Sequence, residues 1–235
     1  MKRIVIVAAA ACAALALGTT YSAGNANAAG GTISGTVKLD GPIPKPKTLE
    51  VTKDKEVCGL KPHFDEDLVV GDSGGIQNAV VVVKGAKGDM KPGNVTFDQK
   101  GCRYEPHVLA FTAGSTVKIM NDDGILHNIH TYSTANPSFN AAQPKFKKEM
   151  DKQIDKPEVI RVTCDAHGWM HGWWIATDTP YFATTDYKGN YSIKDVPAGS
   201  YTVEVWQEKL GTQDSKADVK DGGSATVDFA MKPKS

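Results

Sequence analysis

The chain has 235 residues, which is long enough for one large or two small domains with an apolar core. Lysine plus arginine number 27, as do aspartate plus glutamate, so the formal net charge is zero and no positive field favours nucleic acid or anionic lipid. The hydrophobic content of 40%, with 23 glycines and 12 prolines, favours a turn-rich β protein over a helical bundle or a disordered tail.

The first segment in chain order has the pattern of a signal peptide. Lys2 and Arg3 precede an apolar run over 4–17, and a stretch of small residues then ends at Ala28. The apolar run is shorter than the roughly 20 residues that span a bilayer. We therefore predict cleavage after Ala28, loss of Cys12 with the leader, and an exported protein, periplasmic or extracellular, without a membrane span.

Runs of β-branched residues bounded by turn residues predict many short strands. In chain order these are 32–39, 78–84, 108–112, 116–121, 159–164, 173–177, 191–194, 201–206 and 225–230. The segment 143–155, rich in lysine and acidic residues, is the only one in which we expect a helical turn. This succession of short strands and turns predicts an all-β protein of the sandwich or barrel type.

The cysteines that follow the leader are odd in number, so in an exported protein one thiol must have a separate role. Cys58 and Cys102 have similar surroundings, since each is followed five residues later by a histidine, His63 or His107. We predict that these two cysteines form a disulfide. The alternative is a zinc site made of the same two cysteines and two histidines.

The third cysteine, Cys164, lies in the segment most informative about chemistry. It is followed by His167 and Met170, which places a thiolate, an imidazole and a thioether within seven residues. Such soft ligands suit copper better than calcium or magnesium. A further histidine, His127, follows a predicted strand and a turn. Two histidines, one cysteine and a weak methionine form the ligand set of a blue-copper electron-transfer centre.

The segments 116–128 and 157–175 resemble the cupredoxins, the type 1 blue copper proteins, and the spacing C-x2-H-x2-M is that of the amicyanin type. Plastocyanins and pseudoazurins have two more residues before the methionine. The resemblance implies a Greek-key sandwich that binds copper through the equatorial ligands His127, Cys164 and His167 and the axial ligand Met170. It also implies that Asn128 ties the first-histidine loop to the cysteine strand.

Two other histidines near these segments need separate treatment. His171 is the alternative to Met170 as axial ligand and would supply a third imidazole. His130 lies three residues past His127, an odd step that on an extended chain points the side chain away from the ion. We expect electrons to leave through His167, in the loop.

The segment 184–206 resembles a carboxypeptidase regulatory-like domain, a small transthyretin-like β-sandwich, and 33–41 resembles the opening strand of that family. We therefore predict a signal peptide over 1–28, an N-terminal strand over 29–50 that belongs to the C-terminal sandwich, a copper domain over 51–179, and the sandwich over 180–235. The alternative is two sequential domains. The second resemblance implies a binding or structural role without catalytic residues.

The resulting functional prediction is an exported one-electron carrier whose copper alternates between Cu(I) and Cu(II). Its partner would be a redox protein, such as a cytochrome, and we predict that it is not an enzyme. One alternative is a protein that stores or delivers copper. The other is a copper enzyme, which needs further histidine-rich sites, and only His63, His107, His130 and His171 remain to build them.

Overall fold

The computed structural model describes residues 29–233, so the predicted leader 1–28 and Cys12 lie outside the described residues. This part of the chain is almost entirely β-structure. The strands are β1 (Gly31–Leu39), β2 (Thr48–Leu49), β3 (His63–Phe64), β4 (Val80–Lys84), β5 (Asn94–Gln99), β6 (Tyr104–Glu105), β7 (Val108–Thr112), β8 (Ser115–Asn121), β9 (His127–Tyr132), β10 (Asn140–Gln143), β11 (Glu149–Ile154), β12 (Glu158–Thr163), β13 (His171–Thr177), β14 (Phe182–Thr184), β15 (Asn190–Val196), β16 (Gly199–Gln207), β17 (Gly211–Val219), β18 (Ser224–Thr226) and β19 (Phe229–Met231). A short helix, α1, spans Lys55–Cys58.

The predicted all-β class is confirmed, and each predicted strand corresponds to a strand of the structure. The predicted strand 225–230 is divided into β18 and β19. The expectation of a helical turn over 143–155 is wrong, because β11 pairs antiparallel with β8 from Glu149–Met120 to Ile154–Ser115. The β11 side chains alternate in exposure, and this alternation is the signature of a half-buried strand.

Two sheets form the first sandwich. One has the order β10-β9-β12-β13-β7, and the other has the order β11-β8-β5-β6. Their side chains share one apolar core, in which Trp174 of β13 meets Phe97 of β5 edge-on with ring centroids 5.4 Å apart. Strands β9, β12 and β13 are neighbours in this sandwich. Their ends therefore bring the predicted copper ligands to one edge of the sandwich.

A second sandwich is built from the two ends of the described chain. Strand β1 pairs antiparallel with β15 and parallel with β18 and β19, and the opposing sheet has the order β14-β4-β16-β17. These strands enclose a separate apolar core. Strand β4 lies within the range 51–179 predicted for the copper domain, yet it pairs with β14 and β16 of this second sandwich.

The two sandwiches meet through a small apolar contact. Val80 and Val82 of β4 pack with Val108 of β7 and Ile175 of β13, and all four side chains are buried. Trp173 and Trp206 lie beside this contact with ring centroids 5.3 Å apart. The contact holds the turn that follows β16 against the start of β13.

The predicted disulfide between Cys58 and Cys102 is present and closes a segment with a sequence separation of 44. It excludes the alternative zinc site, whose thiolates would be these two cysteines. On the chain-entropy account, a closure of this length contributes about 4 kcal/mol to the free energy of unfolding. Cys164 is buried and is the free cysteine of the described residues. No helix within 29–233 is long and apolar enough to cross a membrane.

Candidate metal centre

A closed turn between β12 and β13 carries three of the predicted ligands. Cys164 follows the last residue of β12, and its backbone N–H donates to the carbonyl of Met170 over 3.1 Å. The Met170 N–H donates to the carbonyl of His167 over 2.9 Å. These two backbone hydrogen bonds fix the path of the loop and hold the cysteine and histidine side chains on the same side of it.

His127, the first residue of β9, completes the cluster from a neighbouring strand. Its Nδ1 atom lies 3.0 Å from Nδ1 of His167, and that atom lies 3.7 Å from Sγ of Cys164. One donor atom from each of the three residues lies within 4.8 Å of the others. The two histidines are fully buried and Cys164 is 2% exposed. The structure thus brings together the three predicted equatorial ligands.

Two aspartates that sequence reasoning missed hold the outer nitrogens of these histidines. Nε2 of His127 lies 2.8 Å from Oδ2 of Asp123, and Nε2 of His167 lies 2.8 Å from Oδ2 of Asp54. When Nε2 carries the proton donated to a carboxylate, the Nδ1 lone pair is available to a metal. In that tautomer both Nδ1 atoms present lone pairs to the space beside Cys164, and a bound metal would replace the hydrogen bonds that join these atoms in its absence.

The two aspartates differ in whether the sequence could have indicated their role. Asp123 lies in a turn four residues before His127, so local spacing could have indicated it. Asp54 is 113 positions from His167 and has no local signal. It adopts a left-handed conformation with φ of 48° before α1, a backbone region that aspartate tolerates better than most residues.

The electrostatics of the cluster favour a thiolate. Burial raises the pKa of Cys164, but hydrogen bonds from His127 and His167 and from backbone N–H groups of the loop outweigh it and lower the pKa to about 6. Burial lowers the pKa of His127, but Asp123 and Cys164 outweigh it and raise the pKa. A thiol that ionises readily is suited to metal binding, because the thiolate is the ligand form.

The predicted neighbours of the cluster occupy distinct places. Met170 is 2% exposed and belongs to the same apolar core as Cys164. Asn128 accepts a hydrogen bond from the backbone N–H of Asp165 through Oδ1, over 2.9 Å, and so links the β9 strand to the residue after Cys164.

The remaining histidines of this region point elsewhere. Nε2 of His171 lies 2.7 Å from Oδ1 of Asp67 and is not part of the cluster of His127. Nδ1 of His130 lies 3.1 Å from Oδ1 of Asp165 on the surface. His167, through which we expect electrons to leave, is fully buried, and Asp54 covers its Nε2 atom.

The donor chemistry of the cluster fits copper. Two imidazole nitrogens and a thiolate sulfur converge in a closed apolar core, and the thioether of Met170 lies at the end of the same loop. Soft sulfur with imidazole selects copper or zinc over magnesium and calcium. The residues present therefore fit the implied metal.

Comparison with known protein families agrees with the second sequence resemblance. Residues 174–232 match the model of the carboxypeptidase regulatory-like domain, a match that begins within β13. No curated protein matches the chain. Similar solved structures include a purple cupredoxin from Nitrosopumilus maritimus. It has 20% sequence identity and a TM-score of 0.31, and the alignment covers 35% of this chain and 99% of that one.

Two further solved structures illustrate the range of similar proteins. An oxidised amicyanin variant has 17% identity, TM-score 0.34, and coverage of 41% of this chain and 98% of that one. A copper-containing nitrite reductase from Thermus scotoductus SA-01 has 21% identity, TM-score 0.32, and coverage of 41% of this chain and 25% of that one. At these TM-scores the similarity supports no statement about activity.

Proposed function

We propose that the chain is an exported copper protein that carries single electrons between redox partners, with His127, Cys164 and His167 as equatorial ligands and Met170 as the axial ligand. The observation that carries the proposal is the convergence of the two Nδ1 atoms, 3.0 Å apart, beside the buried Cys164 thiol. Copper held by a thiolate and two imidazoles supplies a Cu(I)/Cu(II) couple at a potential tuned by the axial ligand and the surrounding shell.

The residues of the chain support electron transfer because they hold the ligands in place. Asp54 and Asp123 fix the orientation of the two imidazoles, and the backbone hydrogen bonds of the loop fix Cys164 and Met170. Ligands fixed in this way move little when the oxidation state changes. A storage or delivery site, by contrast, requires ligands that exchange the ion readily.

The experiment is an optical and paramagnetic-resonance spectrum of the oxidised, copper-loaded protein and of Cys164→Ser. We expect an intense visible band and a narrow copper hyperfine pattern in the native protein, and loss of both in the variant while the far-UV circular dichroism is unchanged. His130→Gln is the matched control, because His130 lies outside the cluster and pairs with Asp165. A colour that persists in Cys164→Ser would refute the thiolate assignment, and a colourless native protein would favour copper delivery.

We also propose that residues 29–50 and 180–235 belong to one sandwich into which the copper-binding region is inserted. The pairing of β1 with β15, β18 and β19 supports this arrangement. The proposed range of the sandwich also takes in β4 through its pairs with β14 and β16. The sandwich then acts as a structural or binding module that carries the copper region.

A further inference from the structure

A second cluster of donor side chains lies at the junction of the two sandwiches. His107 precedes β7, His171 opens β13, and Glu208 follows β16, and one donor atom from each lies within 4.8 Å of the others. Nε2 of His107 lies 2.5 Å from Oε1 of Glu208, and Nε2 of His171 lies 3.7 Å from Oε2 of the same carboxylate. Asp67 adds a second carboxylate, with Oδ1 2.7 Å from Nε2 of His171.

The cluster is buried to a degree that is unusual for charged groups. The side chain of His107 is 2% exposed and that of Glu208 is 6% exposed. A buried carboxylate requires partners, and Trp173 provides one by donating its indole N–H to Oε2 of Glu208 over 2.5 Å. Trp173 thereby holds the carboxylate toward the two imidazoles.

Two nitrogens of the cluster have no hydrogen-bond partner. Nδ1 of His107 is buried and unpaired. Nε2 of His171 is also buried and makes no well-aligned hydrogen bond, although it lies 2.7 Å from Oδ1 of Asp67. A buried polar atom without a partner costs free energy, and such an atom requires a specific explanation. A cation bound by His171 and the carboxylates would satisfy the nitrogen that Asp67 leaves unpaired.

We propose that His107, His171, Glu208 and Asp67 form a second binding site, for a divalent transition metal of intermediate hardness such as Zn2+ or Cu2+. Imidazole and carboxylate donors without a thiolate suit these ions, and four such donors match the coordination number of zinc. Two carboxylates provide the negative charge that a divalent ion neutralises, and Lys209 reaches only Asp67, over 3.6 Å.

An ion can reach this cluster from solvent. A cavity of about 690 Å3 is lined by His107, Met170 and His171, and a second cavity of about 380 Å3 is lined by Asp67, His171 and Glu208. The proposed site therefore differs from the closed cluster around Cys164. It stands independently of the proposed electron-carrier function, since it shares no ligand with the copper site.

The competing interpretation is an ion-pair network without metal that fastens the two sandwiches together. The test uses Cys164→Ser, which removes the thiolate of the first site, so the outcome does not depend on whether that site binds copper. Zn2+ is titrated into this variant by isothermal calorimetry, and the bound zinc is counted after gel filtration. We expect one equivalent of zinc and a zinc-dependent rise in melting temperature.

Adding Glu208→Gln to the same background should weaken zinc binding at least about tenfold and abolish the rise in melting temperature. His63→Gln is the matched control, because His63 lines the larger cavity but bonds the Cys58 carbonyl and lies outside the cluster. If Glu208→Gln does not fold, His171→Gln replaces it, because the His171 side chain is more exposed than that of Glu208. We expect the same loss of zinc binding from this variant. Two results would overturn the site in favour of the ion-pair network. One is absence of bound zinc in the Cys164→Ser protein, and the other is equal zinc affinity with and without Glu208→Gln or His171→Gln in that background.

Discussion

Nε2 of His167 lies 2.8 Å from Oδ2 of Asp54, a residue 113 positions earlier in the chain. Asp54 precedes α1, and its carbonyl accepts a hydrogen bond from the N–H of Cys58 over 2.8 Å. At the other end of the disulfide, the N–H of Cys102 donates to Oδ2 of Asp123 over 2.8 Å. The disulfide therefore joins the segment of Asp54, which faces His167, to the turn at Cys102 that bonds Asp123, which faces His127.

Replacement of Asp54 tests this orientation. Asp54→Asn keeps the size of the side chain and tolerates the left-handed backbone, but it removes the charge that faces Nε2 of His167. We expect copper to bind about 10–100-fold more weakly, as measured by competition with a chelator, while the visible band is retained. Glu56→Gln is the control, because this exposed residue lies in α1 without contacting the cluster. Equal copper affinity in Asp54→Asn and the native protein would show that the carboxylate does not orient the ligand.

The axial position is tested by Met170→Leu. Loss of a weak donor to Cu(II) destabilises the oxidised state, so we expect the reduction potential to rise while the colour is kept. Cyclic voltammetry measures the potential. His171→Gln serves as the comparison, because Nε2 of His171 faces Asp67 and we expect its removal to leave the visible spectrum unchanged. A potential that is insensitive to Met170→Leu, together with a spectrum altered by His171→Gln, would assign the axial role to His171.

We expect the stability of the protein to depend on pH through the carboxylate of Glu158. Its carboxylate accepts hydrogen bonds from the side chain and backbone of the loop between β9 and β10, including Ser133 Oγ, Thr134 N and Asn136 N. Burial raises the pKa of Glu158, but these hydrogen bonds outweigh it and lower the pKa well below its usual range. The native state therefore favours the charged form, whose stabilisation is complete above the unfolded pKa of 4.5 and is lost as the pH falls below it.

We expect Glu158→Gln to lower the free energy of unfolding by about 1–3 kcal/mol at pH 7 and by progressively less in acid. Urea unfolding at a series of pH values measures the difference. The control is Glu149→Gln, which removes only an exposed ion pair with Lys118 and should change stability by less than about 1 kcal/mol. A deficit that stays constant from pH 7 to pH 3 would contradict the charge-based explanation.

Gly35 tests the packing of β1 in the second sandwich. A Cβ atom at this position would lie 1.9 Å from the carbonyl oxygen of Val227, so Gly35→Ala must displace backbone. We expect a loss of about 1–3 kcal/mol in the free energy of unfolding, with the copper spectrum unchanged. Gly93→Ala is the control, because a Cβ atom there meets no atom within 4 Å. Equal stability of the two variants would show that β1 does not pack as described.

Local patterns in the sequence were sufficient to predict most of the strands and the ligand loop. Runs such as Val80–Lys84 are β-branched and buried, so their pattern shows in a short window. The loop from Cys164 to Met170 is likewise local, and its spacing carries the chemistry. Strand β11 was missed because Glu149, Asp151 and Gln153 face solvent and Lys152 occupies the inner row over the Phe139 ring, so the composition of the strand does not show β-propensity.

The features of the fold and the sites that were not predicted depend on contacts between distant parts of the chain. Asp54 reaches His167, and Glu208 reaches His107 across 101 positions, only because the strands and the disulfide bring these segments together. The pairing of β4 with β16 was similarly unpredicted, because a run of valines fits either sandwich. Periodicity identifies which face of a strand is apolar, but the partner that covers it is determined by the complete packing.

The position of β1 has a consequence for the order in which the molecule acquires its structure. Thr36 of β1 bonds the carboxylate of Asp228 across 192 positions, and the parallel neighbours of β1 are β18 and β19. During synthesis β1 emerges first and remains without these neighbours until almost all of the described chain has been made. The strands around Cys164 and His127 are available to pair well before that point. Closure of such a long loop is slow, so we expect the sandwich that contains Cys164 and His127 to fold ahead of the sandwich that β1 completes.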